Sequence, residues 1–296
     1  MRDKKLYLTN NVLKIIALVT MTIDHLGIFL GDISTPIGLA FRIIGRISLP
    51  LYLFLLVEGL KYTKNKWAYL LRLGIMSIFI YTMILFINSP LINFKGNIAL
   101  DRIGNIFFEL FLYALTYILA TLKHKKLQIL CIFPVLLIIS LSLLKYLSIN
   151  QLGYVRLHYL YDGFYLQYDV IGFLIFFGII FIDKIYNLII KKELKEDNRI
   201  IQFKKSNNYL FYRDSLISFY FVLLSILFYV IGKFNNSSTL NAYQNFGMAT
   251  YLVFSIPFII LYNGKLGCHN KVLQYAYYLY YPLHLAIIFM IFYLIS

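Results

Sequence analysis

The stretch NVLKIIALVTMTIDHLGIFLG, residues 11–31, is an apolar run that carries an acid and an imidazole side by side. A run of about 20 apolar residues is long enough to cross the hydrocarbon core of a bilayer as a helix. A carboxylate in that core costs roughly 3 kcal/mol on insertion scales. Asp24 and His25 therefore indicate buried partners or a chemical role.

The composition is that of an integral membrane protein. The 296 residues are 60% hydrophobic and 14% charged, whereas a soluble domain is about 25% charged. We expect a single membrane domain over residues 1–296. The net charge of +15 lies in short loops, where topology and membrane lipid headgroups explain it better than nucleic acid. Cys131 and Cys268 lack metal-ligand spacing, so neither a metal site nor a disulfide is expected.

Apolar segments predict an all-α, polytopic membrane helix bundle of about nine to ten transmembrane helices. Each segment is near the roughly 17–25 residues that a spanning helix needs. The nine candidates are 12–31, 37–60, 67–87, 103–122, 127–144, 168–189, 214–232, 246–263 and 274–295. The aromatic stretch 151–167 is a candidate re-entrant or interfacial segment, and 190–213 is predicted to be a basic cytoplasmic loop.

The distribution of basic residues predicts the orientation. Eighteen Lys and Arg residues, Arg213 among them, lie at the N-terminus and in alternate loops, against five in the opposite loops. This excess predicts a protein of the cell membrane with a cytoplasmic N-terminus. Most intramembrane polar residues then fall in the outer half of the bilayer, which predicts a polar cavity enclosed by helices there.

The second apolar segment supplies partners for the first. Arg42 and Arg46 lie four residues apart and share a helix face. Asp24 is expected to orient His25 indirectly or to pair with one of these arginines. Arg46 is either a structural counter-ion or an anion-binding residue, because a guanidinium binds two oxygens at once. A role of this set in helix packing is the structural alternative.

Further polar residues begin or interrupt later segments. Asn105 and Glu109 lie at the start of the fourth segment, and Asp169 lies at the start of the sixth. Glu109 either lines the cavity or is packed as a neutral acid. His284, after Pro282, either contacts substrate or makes a packing hydrogen bond. Glu58 is expected to form a surface pair with Lys61.

Four strings in order resemble the TraX family, bacterial membrane proteins named for acetylation of the N-terminus of conjugative F-pilin. The strings are LKIIALVTMTIDHLG, RIIGRISLPLYLFLLVEGLKYTKNKWAYLLRL, LYNGKLG and YYLYYPLHL. The family is similar in turn to a wider transmembrane acyltransferase group, which includes the lysosomal heparan glucosaminide acetyltransferase and bacterial sugar O-acyltransferases. The resemblance implies acetyl-CoA as the donor and a bundle of about ten spans.

The resemblance carries over residue by residue. Its motifs fall on Asp24, His25 and Gly27, on Arg42, Gly45, Arg46 and Pro50, on Glu58, Gly59, Thr63 and Asn65, on Tyr262, Asn263, Gly264 and Lys265, and on Tyr281, Pro282 and His284. Glu109 replaces the threonine of the family's N-x-F-F-T element, and its D-Y-G element matches only at Asp169. These departures bear on acceptor specificity.

The residues and the resemblance together predict an acetyltransferase that moves an acetyl group from cytoplasmic acetyl-CoA to an amine or hydroxyl. The acceptor is expected at the outer side, as a peptide N-terminus or a cell-surface glycan. The predicted catalytic residues are His25, Asp24 and Arg46, with His25 as general base or acetyl carrier. The predicted acceptor-binding residues are Arg42, Asn105, Glu109, Asp169, Tyr281 and His284, and the predicted acetyl-CoA-binding residues are Lys61, Lys64, Asn263 and Lys265.

Two other classes of protein remain open at this point. A proton-coupled secondary transporter also uses intramembrane Asp, His and Arg, although the sequence lacks the inverted repeats and paired broken helices typical of transporters. A non-enzymatic membrane protein would leave the placement of Asp24, His25 and Arg46 unexplained.

Overall fold

Helices make up most of the described chain. The computed structural model describes residues 7–30, 35–87, 105–150, 166–234, 247–268 and 270–295. The helices are α1 (Asn10–Leu30), α2 (Pro36–Gly45), α3 (Ser48–Tyr62), α4 (Lys66–Ile87), α5 (Ile106–Ala120), α6 (Lys125–Gln128), α7 (Ile132–Asn150), α8 (Asp169–Leu194), α9 (Asp197–Lys204), α10 (Asn207–Phe234), α11 (Gly247–Ile260) and α12 (Lys271–Ile295). Within these ranges the β-structure is a single bridge between Leu8 and Tyr262. The predicted all-α fold is confirmed.

Several helices are suited to a membrane. By length and composition, four helical stretches of the described chain can cross one, namely Pro36–Tyr62, Lys125–Leu143, Asp169–Leu194 and Asn207–Lys233. Helices α5 and α11 are shorter and also apolar. The predicted spans 12–31, 67–87 and 274–295 correspond to α1, α4 and α12, which are 21, 22 and 25 residues long. The chain is a membrane protein, and the number of crossings stays a prediction.

The segment 190–213, predicted as a basic cytoplasmic loop, is largely helical, and its cytoplasmic location stays a prediction. Helix α8 runs on to Leu194, α9 follows, and α10 begins at Asn207. Ile200 and Phe203 of α9 pack against a buried cluster of Tyr186, Ile190 and Tyr209. This apolar contact stabilises helical structure in a segment whose basic composition had indicated a loop. The predicted interfacial segment 151–167 lies almost wholly outside the described residues.

The chain forms two compact units. The first comprises Met1–Val57, Leu174–Asn236 and Tyr243–Tyr277, and the second comprises Glu58–Phe173, Ser237–Ala242 and Tyr278–Ser296. In the first unit α1 packs against α2, and α10 packs against the central 3-10 turn of α11. In the second unit α5 packs against α4 and α7. The single domain expected from the sequence stays a prediction.

The predicted span 37–60 is broken into α2 and α3. Pro50 lies in the first turn of α3, where it has no N–H to donate to the carbonyl of Arg46 and its ring clashes with that carbonyl. Helix α2 therefore ends at Gly45, and Ser48 Oγ donates to the Gly45 carbonyl over 2.7 Å. Arg46 is left in the break between the two helices.

The start of α1 is held by the segment 261–268 of the same unit. Leu8 N donates to the Leu261 carbonyl over 2.9 Å, and Asn10 N donates to the Lys265 carbonyl over 2.8 Å. The first backbone N–H groups of a helix have no partner within it. The segment therefore caps α1 with its own carbonyls, and we call residues 261–268 the clamp.

Two glycines shape the clamp. Gly264 has φ +70° and Gly267 has φ +88°, a left-handed region that favours glycine. A Cβ at Gly264 would lie 2.8 Å from Leu210 Cδ1, and a Cβ at Gly267 would lie 2.8 Å from Thr9 Oγ1. Both the backbone conformation and the close approach to its neighbours require glycine.

We predict that Gly264→Ala lowers the free energy of unfolding by roughly 1–3 kcal/mol, because alanine is strained at this φ and meets Leu210. The measurement is the thermal midpoint of the purified protein in detergent. Gly247→Ala is the control, since a Cβ there meets no atom of the described residues within 4 Å. Equal midpoints for the two variants would contradict the role assigned to the clamp.

Candidate functional site

Asp24 contacts two arginines in the first unit. Its Oδ1 atom lies 2.9 Å from Arg42 Nη1 and 3.7 Å from Arg46 Nη2. Asp24 and Arg46 are each 6% exposed. Of the alternatives left open by the sequence, pairing of Asp24 with the arginines is the one observed. Among the described residues, this one carboxylate is shared by two guanidinium groups.

Glycines allow α1 and α2 to approach closely at this set. A Cβ at Gly45 would overlap the Asp24 side chain, and a Cβ at Gly27 would lie 2.8 Å from Phe41 Cβ. Close approach of the two backbones is what brings the carboxylate of α1 to the guanidinium groups of α2. Gly27 and Gly45 therefore permit the contacts between Asp24 and the two arginines.

Arg46 has N–H donors available to bind another group. It is the C-cap of α2, where the helix dipole favours a positive charge. Its contact with Asp24 is longer than a hydrogen bond, and its buried Nε has no hydrogen-bond partner among the described residues. A guanidinium carries five N–H donors in a planar fork. Arg46 is thus the residue of this set best able to bind an anion.

His25 follows Asp24 on α1 and is 8% exposed. Successive side chains of a helix point about 100° apart, so the imidazole and the carboxylate leave α1 in different directions. The buried imidazole is one residue away from the arginine-bound carboxylate. His25 is therefore the titratable residue next in sequence to the carboxylate that the two arginines share.

The predicted residues Asn105, Glu109 and Asp169 lie in the second unit, where Glu109 and Asp169 both contact the Tyr113 hydroxyl. Asn105 caps α5 and donates from Nδ2 to the Ser77 carbonyl over 2.8 Å. Glu109 is fully buried, with Oε1 lying 2.5 Å from the Tyr113 hydroxyl. That hydroxyl also lies 2.8 Å from the Asp169 carbonyl oxygen. Asp169 has φ +36°, so the start of α8 is a strained turn held against α5.

A backbone contact and a glycine complete this cluster. Tyr168 N donates to Glu109 Oε2 over 3.0 Å, so both carboxylate oxygens have protein contacts. A Cβ at Gly172 would lie 2.6 Å from the Tyr113 hydroxyl oxygen. The cluster is closely packed, which favours a role for Glu109 and Asp169 in joining α5 to α8.

Tyr281 and His284 are also buried in the second unit. The Tyr281 ring lies 5.6 Å from the Phe107 ring and 5.5 Å from the imidazole. His284 Nδ1 lies 2.9 Å from the Tyr280 carbonyl oxygen, which requires the proton on Nδ1. Nε2 is then the nitrogen that can accept a proton in the neutral ring. The common cavity predicted for these residues and Asp24 stays a prediction.

The predicted acetyl-CoA-binding residues lie in two turns. In the second unit, Lys61 Nζ lies 3.3 Å from Glu58 Oε1, and Lys64 is exposed. The predicted pair of Glu58 with Lys61 is present, but its predicted location at the surface is wrong, because Glu58 is 2% exposed. In the clamp, Lys265 N donates to Asn263 Oδ1 over 2.9 Å. Asn263 therefore shapes its own turn, while the Lys265 side chain is exposed.

A buried charged pair was missed by the sequence analysis. Arg213, counted there as a loop cation, lies inside α10 at 1% exposure, and its Nε donates to Asp214 Oδ1 over 2.7 Å. Its guanidinium carbon lies 5.8 Å from the Phe54 ring, and that ring makes an edge contact with Tyr262 of the clamp. An Arg-Asp pair at the very start of an apolar run was the available signal.

We predict that Asp24→Asn destabilises the protein by roughly 3–5 kcal/mol, because it leaves two buried guanidinium groups without their carboxylate. Adding Arg42→Gln should recover part of this loss, since it removes one of the two cations that Asp24→Asn deprives of that carboxylate. Thermal midpoints of the two single variants and the double variant give the coupling. Strictly additive losses would contradict the contact.

Comparison with known proteins places the chain in a family. The model described as TraX protein matches residues 9–168, more than half of the 296 residues. A 62-residue stretch is 44% identical to the "Probable fimbrial assembly protein FimC, serogroup H1" of Dichelobacter nodosus, over 21% of this chain and 25% of that relative. No solved structure matches. By the extent of the family match, this membrane protein belongs to the TraX family.

Proposed function

We propose that this chain is a membrane-embedded acetyltransferase. It transfers an acetyl group from acetyl-CoA, used as co-substrate, to an amine or hydroxyl acceptor. The observation that carries the proposal is the buried set of Asp24, Arg42 and Arg46, next to His25 in the chain, in which two guanidinium groups share one carboxylate. The positive charge of a guanidinium stabilises an anion that forms during a reaction, because a buried site holds little water to screen that charge.

The chemistry has a place for each of these residues. His25 takes a proton from the acceptor amine or hydroxyl, whose nitrogen or oxygen then forms a bond to the thioester carbon. The carbonyl oxygen becomes negative, and Arg46 donates to it. The carbon–sulfur bond breaks, and the CoA thiolate takes the proton from His25. In the alternative course His25 itself carries the acetyl group before the acceptor does.

Arg42 and Asp24 act on Arg46 in this scheme. The 2.9 Å contact ties Asp24 to Arg42, and Asp24 lies 3.7 Å from Arg46. Asp24 thus holds the two arginines near each other, because without its carboxylate their like charges would repel. We assign Asp24 a positioning role and Arg46 the contact with the reacting oxygen.

The family and the relative support a class of acceptor. The TraX family takes its name from acetylation of a pilin N-terminus, and the similar Dichelobacter protein is described as a probable fimbrial assembly protein. We therefore favour the N-terminal amine of a pilus or fimbrial subunit over a cell-surface glycan. Tyr281 and His284 are the proposed acceptor-side residues of the second unit, whereas the contacts of Asn105, Glu109 and Asp169 favour structural roles.

The proposed location is the cell membrane, with the N-terminus in the cytoplasm. The basic loops support this orientation, and the burial of Arg213 removes one of the eighteen residues from the count without changing the excess. Acetyl-CoA is a cytoplasmic metabolite in this scheme and enters from the basic side. Lys61, Lys64, Asn263 and Lys265 remain the proposed residues for its phosphates.

We predict that His25→Ala lowers the rate of acetyl transfer by about 10²–10⁴-fold, the usual contribution of a general base. The measurement is release of the CoA thiol from acetyl-CoA with a pilin N-terminal peptide in detergent. His124→Ala is the matched control, because His124 is exposed at the start of α6. Full activity of His25→Ala would end the scheme.

We predict different effects for the two arginines. Arg46→Gln should lower kcat by about 10²–10³-fold, the loss typical of one oxyanion donor, with little change in thermal midpoint. Arg42→Gln should lower the midpoint more than Arg46→Gln does, since it removes the shorter contact to Asp24. Steady-state kinetics and thermal unfolding of both variants test this, and equal effects on kcat would refute the division of roles.

The same assay separates the proposal from its rivals. A proton-coupled transporter or a non-enzymatic membrane protein would release no CoA thiol from acetyl-CoA. Mass spectrometry of the peptide completes the test, because an enzyme must add one acetyl group for each thiol released.

A further inference from the structure

The turn between α3 and α4 concentrates positive charge at a described surface of the second unit. Residues 61–67 read KYTKNKW and hold Lys61, Lys64 and Lys66. Lys61 is paired with Glu58. Among the described residues, no carboxylate pairs with Lys64 or Lys66. The turn therefore offers two lysines whose charge is not neutralised by a neighbour.

The turn is ordered by its own contacts. Thr63 N donates to the Gly59 carbonyl over 3.0 Å, and Ala68 N donates to Asn65 Oδ1 over 3.0 Å. Asn65 thereby caps α4. Lys66 Nζ lies 5.0 Å from the centre of the Tyr117 ring, a cation–π contact that restricts the lysine. A binding group that is already ordered loses less entropy when its ligand arrives.

Exposed aromatic rings flank the lysines. Tyr62 is 64% exposed and Trp67 is 53% exposed. A base or an adenine ring stacks on such a face with about 1–3 kcal/mol. Lysines supply the charge for phosphate groups, and the start of α4 adds the positive end of a helix dipole.

Two other basic segments of the described chain lack this combination. Residues 123–126 are basic and exposed but have no exposed Tyr, Phe or Trp beside them. Residues 191–205 carry three carboxylates among their six basic side chains, and Phe203 there is packed on the buried cluster. The pairing of unneutralised lysines with exposed rings distinguishes 61–67 from both.

We propose that the turn 62–67 binds the nucleotide end of the acyl-CoA donor, with Lys64 and Lys66 on its phosphates and Trp67 or Tyr62 on its adenine. This inference rests on the proposed function and narrows its donor site, because it assigns the phosphates of the donor to this turn and not to Asn263 and Lys265. The nucleotide end of this donor carries a diphosphate, a 3′-phosphate and one purine. It therefore presents negative charge to the two lysines and a flat aromatic face to an exposed ring. The acyl thioester lies at the other end of the same donor.

Intrinsic fluorescence tests the proposal directly, because Trp67 is the single tryptophan of the chain. The full-length protein in detergent is titrated with CoA, with 3′-dephospho-CoA and with pantetheine. CoA should change the Trp67 emission in a saturable way, dephospho-CoA should bind more weakly, and pantetheine should give no change. Emission that does not respond to CoA would overturn the proposal.

Kinetics give the second readout. In Lys64→Gln and in Lys64→Gln/Lys66→Gln, the ratio of kcat/KM for acetyl-CoA to that for acetyl-pantetheine should fall about tenfold or more, the loss expected for one or two charged hydrogen bonds. The matched control is Lys125→Gln/Lys126→Gln in the exposed segment 123–126. The single variant Lys64→Gln is included because the Lys64 side chain is exposed, so we expect its replacement to leave folding unchanged.

The outcomes separate this inference from the proposed function. Turnover of both thioesters with an unchanged ratio in the Lys64 variants overturns the inference and leaves the enzyme. A CoA-dependent change of Trp67 emission without turnover of either thioester supports the nucleotide site and refutes the acetyltransferase. A response of Trp67 to phosphatidylglycerol nanodiscs but not to CoA would assign the turn to lipid headgroups and overturn the inference.

Discussion

The contact between the Asp24 carboxylate and the arginines of the broken second segment is the constraint on which the rest of the first unit depends. A buried carboxylate needs a partner of opposite charge, and Arg42 supplies it at 2.9 Å. Two features of the sequence make this contact possible. Gly45 leaves space for the Asp24 side chain, and Pro50 ends the helix so that Arg46 lies at the break.

The other end of α1 is fixed by a separate set of contacts. The clamp satisfies the first N–H groups of α1, and its Tyr262 packs on Phe54, which in turn faces the guanidinium of Arg213. A helix held at its start and joined by an ion contact near its end cannot slide along its axis without breaking one of them. The level of His25 relative to Arg46 is therefore set by both ends of the helix.

The fold class and the ion contact could be read from the sequence, because apolar length and the four-residue spacing of Arg42 and Arg46 are local properties. The helical order of 190–213 could not, since it depends on Ile200 and Phe203 packing against residues distant in the chain. Arg213 was misread for the same reason: its burial depends on Phe54 and Asp183, which come from other helices. The burial of Glu58 and the turn role of Asn263 also required coordinates.

The central claim is that the two arginines held by Asp24, with His25 next to it in the chain, serve acetyl transfer. The most direct measurement is turnover of ¹³C-acetyl-CoA by the purified wild-type protein with a pilin N-terminal peptide, followed by mass spectrometry of the peptide and assay of the thiol. The account predicts labelled acetyl on the peptide amine in equal amount to the thiol released. Intact acetyl-CoA and an unlabelled peptide, with a protein shown to be folded, would contradict it.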